Sequence, residues 1–141
     1  MKNRFYLLLL ISVSFVQAQD TIYLDEKYKE TNPKEAIYYR IDDRETTGDQ
    51  DLIRKTYWRD GQIKSETPYL EKKDKLVPTG LWKFWYENGQ LFYSQHYKKG
   101  ERHGELVAFW KDGSRRRHDN YKKGKLKSGK VWNKHGEEIE Y

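Results

Sequence analysis

A short motif recurs three times in this chain: two aromatic residues, one further residue, Asp or Asn, and then Gly. The copies are Tyr57-Trp58-Arg59-Asp60-Gly61, Trp85-Tyr86-Glu87-Asn88-Gly89 and Phe109-Trp110-Lys111-Asp112-Gly113, followed by a weaker Trp132-Asn133-Lys134-His135-Gly136. The glycines lie 28, 24 and 23 residues apart. A period in this range indicates a stack of similar supersecondary units.

The second copy predicts what the unit is. Residues 81–86 alternate, with Trp82, Phe84 and Tyr86 expected on one face of a strand. Asn88-Gly89 predicts a tight hairpin turn whose central residues have positive φ, and residues 91–97 predict the returning strand. Residues 98–100, Lys-Lys-Gly, close the unit. Each copy is therefore a β-hairpin.

The other copies keep this frame with two departures. Tyrosine stands eight residues after three of the motif glycines, at Tyr69, Tyr97 and Tyr121. The charged residues 71–75 lengthen the first spacing, and we interpret them as a solvated loop at a hairpin end. Arg115 takes the place that Ile63 and Leu91 hold in earlier copies. The basic residues 115–118 indicate either an edge or weakly packed strand protected by charge, or an anion-binding patch.

The first eighteen residues have the pattern of a signal peptide. Lys2 and Arg4 precede an apolar run over residues 6–16, and Val16-Gln17-Ala18 ends in small residues. The run is shorter than the ~20 residues that span a bilayer. We expect cleavage near Ala18 and a periplasmic or extracellular protein, with an uncleaved signal anchor as the alternative.

Three segments follow from these patterns. Residues 1–18 are the signal peptide, residues 19–51 are an N-terminal β leader with strands over 21–26 and 36–41, and residues 52–141 are about 3.5 hairpin repeats. The chain has no cysteine, and its core must be largely aromatic. Residues 98–130 contain 12 basic and 4 acidic side chains, a net charge of +8 that suggests one basic face or end.

The copies resemble the variant MORN repeat, in which an aromatic-x-Asp/Asn-Gly turn precedes a strand and then Tyr-x-x-Gly-x-x-x-Gly. The best match runs from Tyr86 to Leu91 and from Tyr97 to Gly104, and the next from Trp110 to Gly113 and from Tyr121 to Gly124. The resemblance implies an all-β fold, an antiparallel meander of successive β-hairpins in an elongated, twisted, mostly single-layer sheet without a catalytic centre. Members are often labelled antitoxin components of the YwqK type, and residues 23–40 resemble the leader of exported Bacteroidetes-type MORN proteins.

No pattern for catalysis, a metal or a cofactor stands out. Without cysteine there is no thiol nucleophile, and no nucleophile-elbow motif surrounds any serine. His96, His103, His118 and His135 fall at different offsets in different units, which argues against a shared metal ladder. The glycines recur at turns and follow no phosphate-loop pattern. We therefore expect a non-enzymatic protein with no cofactor and no bound metal.

Aromatic residues beside basic ones are the remaining functional signal. They form either the sheet's own core with lysines at its edges, or a recognition surface that stacks on a ligand while cations meet anions. The candidate binding residues are Trp82, Trp85, Phe92, Trp110, Arg115, Arg116, Arg117, Tyr121 and Lys122.

A single-layer sheet cannot bury both faces, so one face is either open for recognition or covered by the leader or a partner. The expected partner is another protein or a cell-envelope component. A toxin bound in an antitoxin-like manner, or a glycan or other anionic polymer, are the alternatives. Nucleic acid does not fit an exported protein, and an unpaired edge strand would permit a dimer.

Overall fold

The fold is one antiparallel sheet of hairpins in chain order. A computed structural model describes residues 20–44 and 50–140, and within them every regular element is a strand. The strands are β1 (Thr21–Leu24), β2 (Tyr38–Asp43), β3 (Leu52–Trp58), β4 (Ile63–Lys72), β5 (Lys75–Pro78), β6 (Gly80–Trp85), β7 (Leu91–Lys98), β8 (Glu101–Phe109), β9 (Arg115–Lys122), β10 (Lys125–Trp132) and β11 (Glu138–Ile139). The spatial order follows the chain, except that β5 and β6 both pair with β4. The predicted all-β meander is confirmed, and the sheet is not closed. The predicted signal peptide lies outside the described residues.

Each aromatic motif forms the same turn, which differs from the one we predicted. Gly89 N donates to Tyr86 O at 3.0 Å, and Tyr86 N donates to Gln90 O at 2.9 Å. Only the glycine is left-handed, with φ of 80°, while Asn88 is not. This is a type I turn followed by a glycine bulge rather than a mirror-image turn. The other three copies make the same pair of backbone bonds.

The side chain of the Asp or Asn before the glycine stabilises the turn by accepting a backbone hydrogen bond. Asn88 Oδ1 accepts the backbone N–H of Gln90 at 3.2 Å, and Asp112 Oδ1 accepts that of Ser114 at 2.8 Å. In the fourth copy the aromatic position is Asn133, whose Oδ1 accepts from His135 N at 2.9 Å and from Glu137 N at 3.1 Å. Asn133 therefore supports its turn from another position, by the same side-chain mimicry of a backbone acceptor.

The turns with two left-handed residues occur at the opposite ends of the strands. Lys99 and Gly100, between β7 and β8, have φ of 53° and 87°. Lys123 and Gly124, between β9 and β10, have φ of 50° and 74°. Positive φ at both central residues is the requirement of the type I′ turn that fits the twist of a two-residue hairpin. The prediction of this geometry at the Asp/Asn-Gly turns was therefore wrong, since it occurs at the opposite end of the hairpins.

The predicted loop over residues 71–75 is mostly strand. Glu71 pairs with Leu76 and Lys72 pairs with Lys75, which leaves only Lys73 and Asp74 in the turn. The four residues that lengthen the first repeat therefore add ladder pairs to the β4–β5 hairpin. The prediction of an irregular loop was wrong because charged residues on a projecting hairpin are solvated without leaving the ladder.

Large side chains on one face of the sheet, the front face, cover one another within a single layer. Cross-strand partners share a face, which places Trp82, Gln95, Leu106 and Asp119 in one row across four strands. Gln95 and Asp119 are 0% and 1% exposed and Leu106 is 4% exposed. Gln95 Nε2 donates to His96 O at 2.8 Å, so its buried amide is tied to the backbone.

The leader extends the sheet instead of covering a face. On the outer edge of β1, Thr31 N donates to Tyr23 O and Asp25 N donates to Lys29 O, each at 2.9 Å, so the loop between β1 and β2 caps that edge. Tyr28 of this loop stacks on Tyr38 at 4.9 Å. The alternative in which the leader covers an open face is wrong for the described residues.

One ion pair joins the leader to the first repeat. Arg54 donates from Nε to Asp42 Oδ1 at 2.9 Å and from Nη2 to Asp42 Oδ2 at 2.8 Å. Burial by itself would raise the pKa of Asp42, but the hydrogen bonds and charge of Arg54 outweigh it and hold that pKa below its ordinary value. The folded state therefore favours the ionised carboxylate.

We expect the glycine and lysine at the two kinds of turn to respond oppositely to substitution. Gly89→Ala should lower the free energy of unfolding by about 1 kcal/mol, because its Cβ meets no atom within 4 Å and only the left-handed backbone resists it. Lys99→Gly should raise that free energy by about 0.5–1 kcal/mol, because Lys99 is already left-handed. Urea unfolding measures both, and equal signs would contradict the turn assignment.

The Asp42–Arg54 pair predicts loss of stability in acid. A depressed folded-state pKa contributes stability that is complete above the unfolded value of about 3.9 and is lost as pH falls through the lower folded-state pKa. Asp42→Asn should remove this contribution, about 1–2 kcal/mol at neutral pH. It should also flatten the pH dependence of the unfolding free energy below about pH 4. An Asp42→Asn variant with the wild-type acid profile would show that other carboxylates carry it.

Candidate functional site

Most of the predicted aromatic candidates belong to the scaffold. Trp82 lies 5.1 Å from Tyr69 and 4.7 Å from Tyr97 between ring centroids, and its Nε1 donates to Pro68 O at 3.0 Å. Trp85 ends β6 opposite Leu91 and is half-buried. Neither residue lies near the basic candidates of β9. The contacts of Trp82 and Trp85 therefore fit the interpretation in which the aromatic residues form the core of the sheet.

A repeated contact explains Arg116. In the first three copies, the residue three before the motif glycine packs on the residue three after it. Lys64 Nζ lies 3.7 Å from the Trp58 ring centroid, and the Arg116 guanidinium carbon lies 4.6 Å from that of Trp110. In the second copy two rings meet instead, at 5.0 Å. The six-residue spacing between the two members of each pair is visible in the sequence. That the two side chains are in contact can be inferred only once the turn geometry is known.

Arg115 and its neighbours line a shallow cavity at the aromatic-turn end of the sheet. Arg115 is the strand partner of Phe109, and its guanidinium lies 5.4 Å from the centroid of Trp132. The cavity, about 400 Å³, is lined by Phe109, Gly113, Arg115, Trp132 and Gly136. The cavity is wide and open, so Arg115 lies on an accessible surface beside the turns and is not part of an enclosed site.

The basic stretch of β9 is an interior strand, which corrects the expectation of an edge. β9 pairs with β8 on one side and with β10 on the other. Arg117 Nε donates to the buried Asp119 Oδ2 at 2.6 Å, and the hydroxyl of Tyr121 donates to the same oxygen at 3.3 Å. A buried carboxylate thus anchors one arginine of the strand, and rings anchor the other two.

On the front face of β7 to β10 these side chains surround a groove, which we call the arginine groove. It encloses about 290 Å³ and is lined by Phe92, Tyr93, Arg102, Leu106, Ala108, Arg116, Arg117 and Val131. Leu106 and Ala108 are buried in one cluster with Tyr121, and Tyr93 packs against that cluster. The floor is therefore mainly aliphatic, and three of the eight lining residues are arginines.

Protonation keeps the groove positive. A hydrogen bond with Tyr97 raises the pKa of Arg102 above its ordinary value, and burial raises the pKa of Tyr93. Arg102 also lies 3.5 Å from the Tyr121 hydroxyl. Tyr93 therefore stays neutral and Arg102 stays charged throughout the physiological range. The groove offers planar cationic donors above an apolar floor, a combination suited to carboxylates attached to an apolar group.

The structure brings together only part of the predicted set. Phe92, Arg116 and Arg117 line the groove, and Tyr121 supports its floor. Trp110 lies beneath Arg116 and Lys134. Sequence reasoning missed five lining residues: Tyr93, Arg102, Leu106, Ala108 and Val131. The signal for three of them was the alternation of β8, where Arg102, Leu106 and Ala108 stand two or four residues apart.

Lys122 belongs to a second basic region, which we call the lysine end. The two-residue turns all lie at one end of the sheet, and exposed lysines flank them: Lys72, Lys73, Lys75, Lys98, Lys99, Lys122, Lys123 and Lys125. Equivalent turns are two strands apart, about 9.6 Å. The +8 charge of residues 98–130 is therefore divided between the groove and the lysine end.

Within residues 20–44 and 50–140, no three His, Asp or Glu side chains converge as metal ligands. The same part of the chain contains no helix with the length and apolarity needed to cross a membrane. These findings describe that part of the protein only.

A single sheet of tandem hairpins with identical turns defines a β-repeat protein. Residues 50–71 and 78–99 match the family model described as the MORN repeat variant, and the chain therefore contains two adjacent repeats of this kind. The third copy lies outside these matches but forms the same turns. Searches of curated proteins and of solved structures found no match. The repeats indicate a repeat-based binding module.

The floor of the groove should be the most sensitive part of this region. Leu106→Ala should lower the free energy of unfolding by about 2–3 kcal/mol, because it removes a buried side chain and leaves a gap in the layer. The matched variant Leu126→Ala, at a position 41% exposed on β10, should change it by less than about 0.5 kcal/mol. Thermal or urea unfolding distinguishes them, and equal losses would contradict the assignment of Leu106 to the core.

Proposed function

We propose that this protein is a non-enzymatic binding module that holds an acidic segment of a partner protein in the arginine groove. The observation that carries the proposal is the groove itself: Arg102, Arg116 and Arg117 surround a floor of Leu106 and Ala108. Carboxylates of the ligand would meet the guanidinium groups, and an apolar side chain would fill the floor.

The floor favours a peptide over a sugar or a base. Sugars and bases bind through stacking on aromatic platforms, whereas the floor of this groove contains the aliphatic residues Leu106, Ala108 and Val131. The two rings of the groove, Phe92 and Tyr93, stand at its β7 side. A volume of about 290 Å³ suits one or two side chains, which is the scale of an anchor residue in a protein interface.

The compartment follows from the sequence pattern of residues 1–18. We propose that the protein is exported and meets its partner in the periplasm or outside the cell. Neutralisation of a toxin, the label that the MORN-variant resemblance brings, would be one form of such protein binding. It requires a one-to-one complex with that toxin and a protective effect that depends on the groove.

Selection of displayed peptides tests the ligand chemistry. Peptides selected on the intact protein should combine Asp or Glu with a neighbouring apolar residue. Arg102→Glu should weaken their binding by tenfold or more, about 1.4 kcal/mol, because it places like charges in contact. Lys111→Glu carries the same charge change on an exposed turn outside the groove and should leave binding unchanged. Neutral or basic selected peptides, or equal effects of the two variants, would contradict the proposal.

The native partner can be sought with a photo-crosslinking amino acid at Phe92, which is 36% exposed at the groove. The same amino acid at Ile37, 42% exposed in the leader, is the control. A partner in the envelope fraction should crosslink from position 92 alone and be competed by a selected acidic peptide. Identical products from both positions would indicate contact elsewhere.

The lysine end supports a second candidate function, binding of an anionic polymer. Eight lysines on successive turns present a repeating line of charge, and a polyanion such as hyaluronate could follow it. Lys98→Glu with Lys123→Glu should abolish hyaluronate binding, and about 0.5 M salt should do the same. Binding that ignores salt would exclude this electrostatic mode.

A further inference from the structure

The two outer edges of the sheet differ in a way that neither the arginine groove nor the lysine end uses. On the C-terminal side, β10 pairs with β9 along its length but with β11 only at Val131 and Trp132. In the part of the chain that the structure describes, the outer edge of residues 125–130 has no strand beside it. On the N-terminal side, the loop after β1 already occupies part of the edge, where Thr31 N donates to Tyr23 O and Lys29 O accepts from Asp25 N.

The side chains of this open edge are sorted by face. Leu126 lies opposite Tyr121 and Val131 opposite Arg117, which places both on the front face. Lys125 lies opposite Lys122 and Lys130 opposite His118, on the back face. Leu126 is 41% exposed. An added strand would therefore meet apolar side chains on one face and cations on the other.

The chain's own β11 illustrates this chemistry. Residues 137–140 read Glu-Glu-Ile-Glu, in which acidic and apolar residues alternate over the last three. Within β11, Glu138 Oε2 accepts a hydrogen bond from Lys130 Nζ at 2.8 Å, and Ile139 is the strand partner of Val131. The pairing stops after two residues, and within residues 20–44 and 50–140 no other strand lies along the rest of this edge.

We propose that the open edge of β10, residues 125–130, binds an extended segment of a partner protein in which acidic and apolar residues alternate. The segment adds as a further strand, because the edge supplies unpaired backbone groups and strand addition uses them. Its acidic side chains face Lys125 and Lys130, and its apolar side chains pack beside Leu126. This docking surface is separate from the arginine groove and goes beyond the function proposed for it.

A second copy of this chain is a poorer occupant. Two β10 edges side by side would bring the lysines of one copy against those of the other, and like charges across a ladder are destabilising. The β1 edge of a second copy is capped by its own loop. Charge complementarity therefore favours a different, acidic segment.

Hydrogen exchange with a defined peptide tests the proposal on the whole protein. The probe is an acetylated and amidated octapeptide of alternating Glu and Val. At about 1 mM peptide, exchange of the amides of residues 125–130 should slow by about fivefold. A peptide of the same sequence with N-methylated valines, which cannot complete the ladder, should give no protection. Octaglutamate, which has charge without the apolar face, should protect at most weakly.

Two charge-reversal variants locate the effect. Lys125→Glu should abolish the protection, while Lys98→Glu, at the end of β7, a strand paired on both sides, should preserve it. Arg102→Glu should also preserve it, which separates failure at the edge from failure of the groove. Protection confined to groove residues, no protection at any site, or protection of residues 125–130 without peptide in a dimer would each overturn the proposal.

Discussion

Every buried side chain of the described residues has to be covered by other side chains of the same single sheet. There is no helix or second sheet in the described residues to cover the front face, so its side chains lie across one another along rows that cross the strands. The row through Trp82, Gln95, Leu106 and Asp119 shows the result, since its last three members are almost fully covered. Aromatic residues serve this purpose because one ring spans the distance to the neighbouring strand.

That constraint also explains how basic residues occur inside the sheet. Arg116 extends over Trp110, Arg115 over Trp132, and Arg117 reaches the buried Asp119. Each guanidinium covers apolar surface or satisfies a carboxylate while part of it remains in water. The arginine groove results from the same arrangement. Ala108 and Val131 are shorter than the arginine and aromatic side chains around them, so these longer side chains leave a depression above the two residues.

The periodicity predicted the architecture, because the spacing of glycines and aromatics directly records the hairpin unit. It failed on turn type, because Asn-Gly is compatible with two geometries and the side-chain bond of Asn88 to Gln90 favours the bulged one. It also failed on residues 71–75, where composition indicates solvation but not backbone conformation. The candidate site was predicted only in part. The basic run of the sequence indicated Arg116 and Arg117, whereas Arg102 and Leu106 are placed near them by the register of β8 against β9, which the sequence does not reveal.

The unequal edges of the sheet give it a direction of growth. A duplicated hairpin placed after β10 would find free backbone groups beside residues 125–130 and would displace only the two-residue pairing of β11 with Val131 and Trp132. An extra unit placed before β1 would first have to displace the loop that carries Lys29 and Thr31. A change in repeat number therefore disturbs a two-residue strand at one edge and the leader loop at the other. Among related proteins, length differences should accumulate on the β10 side while the leader and its cap stay constant.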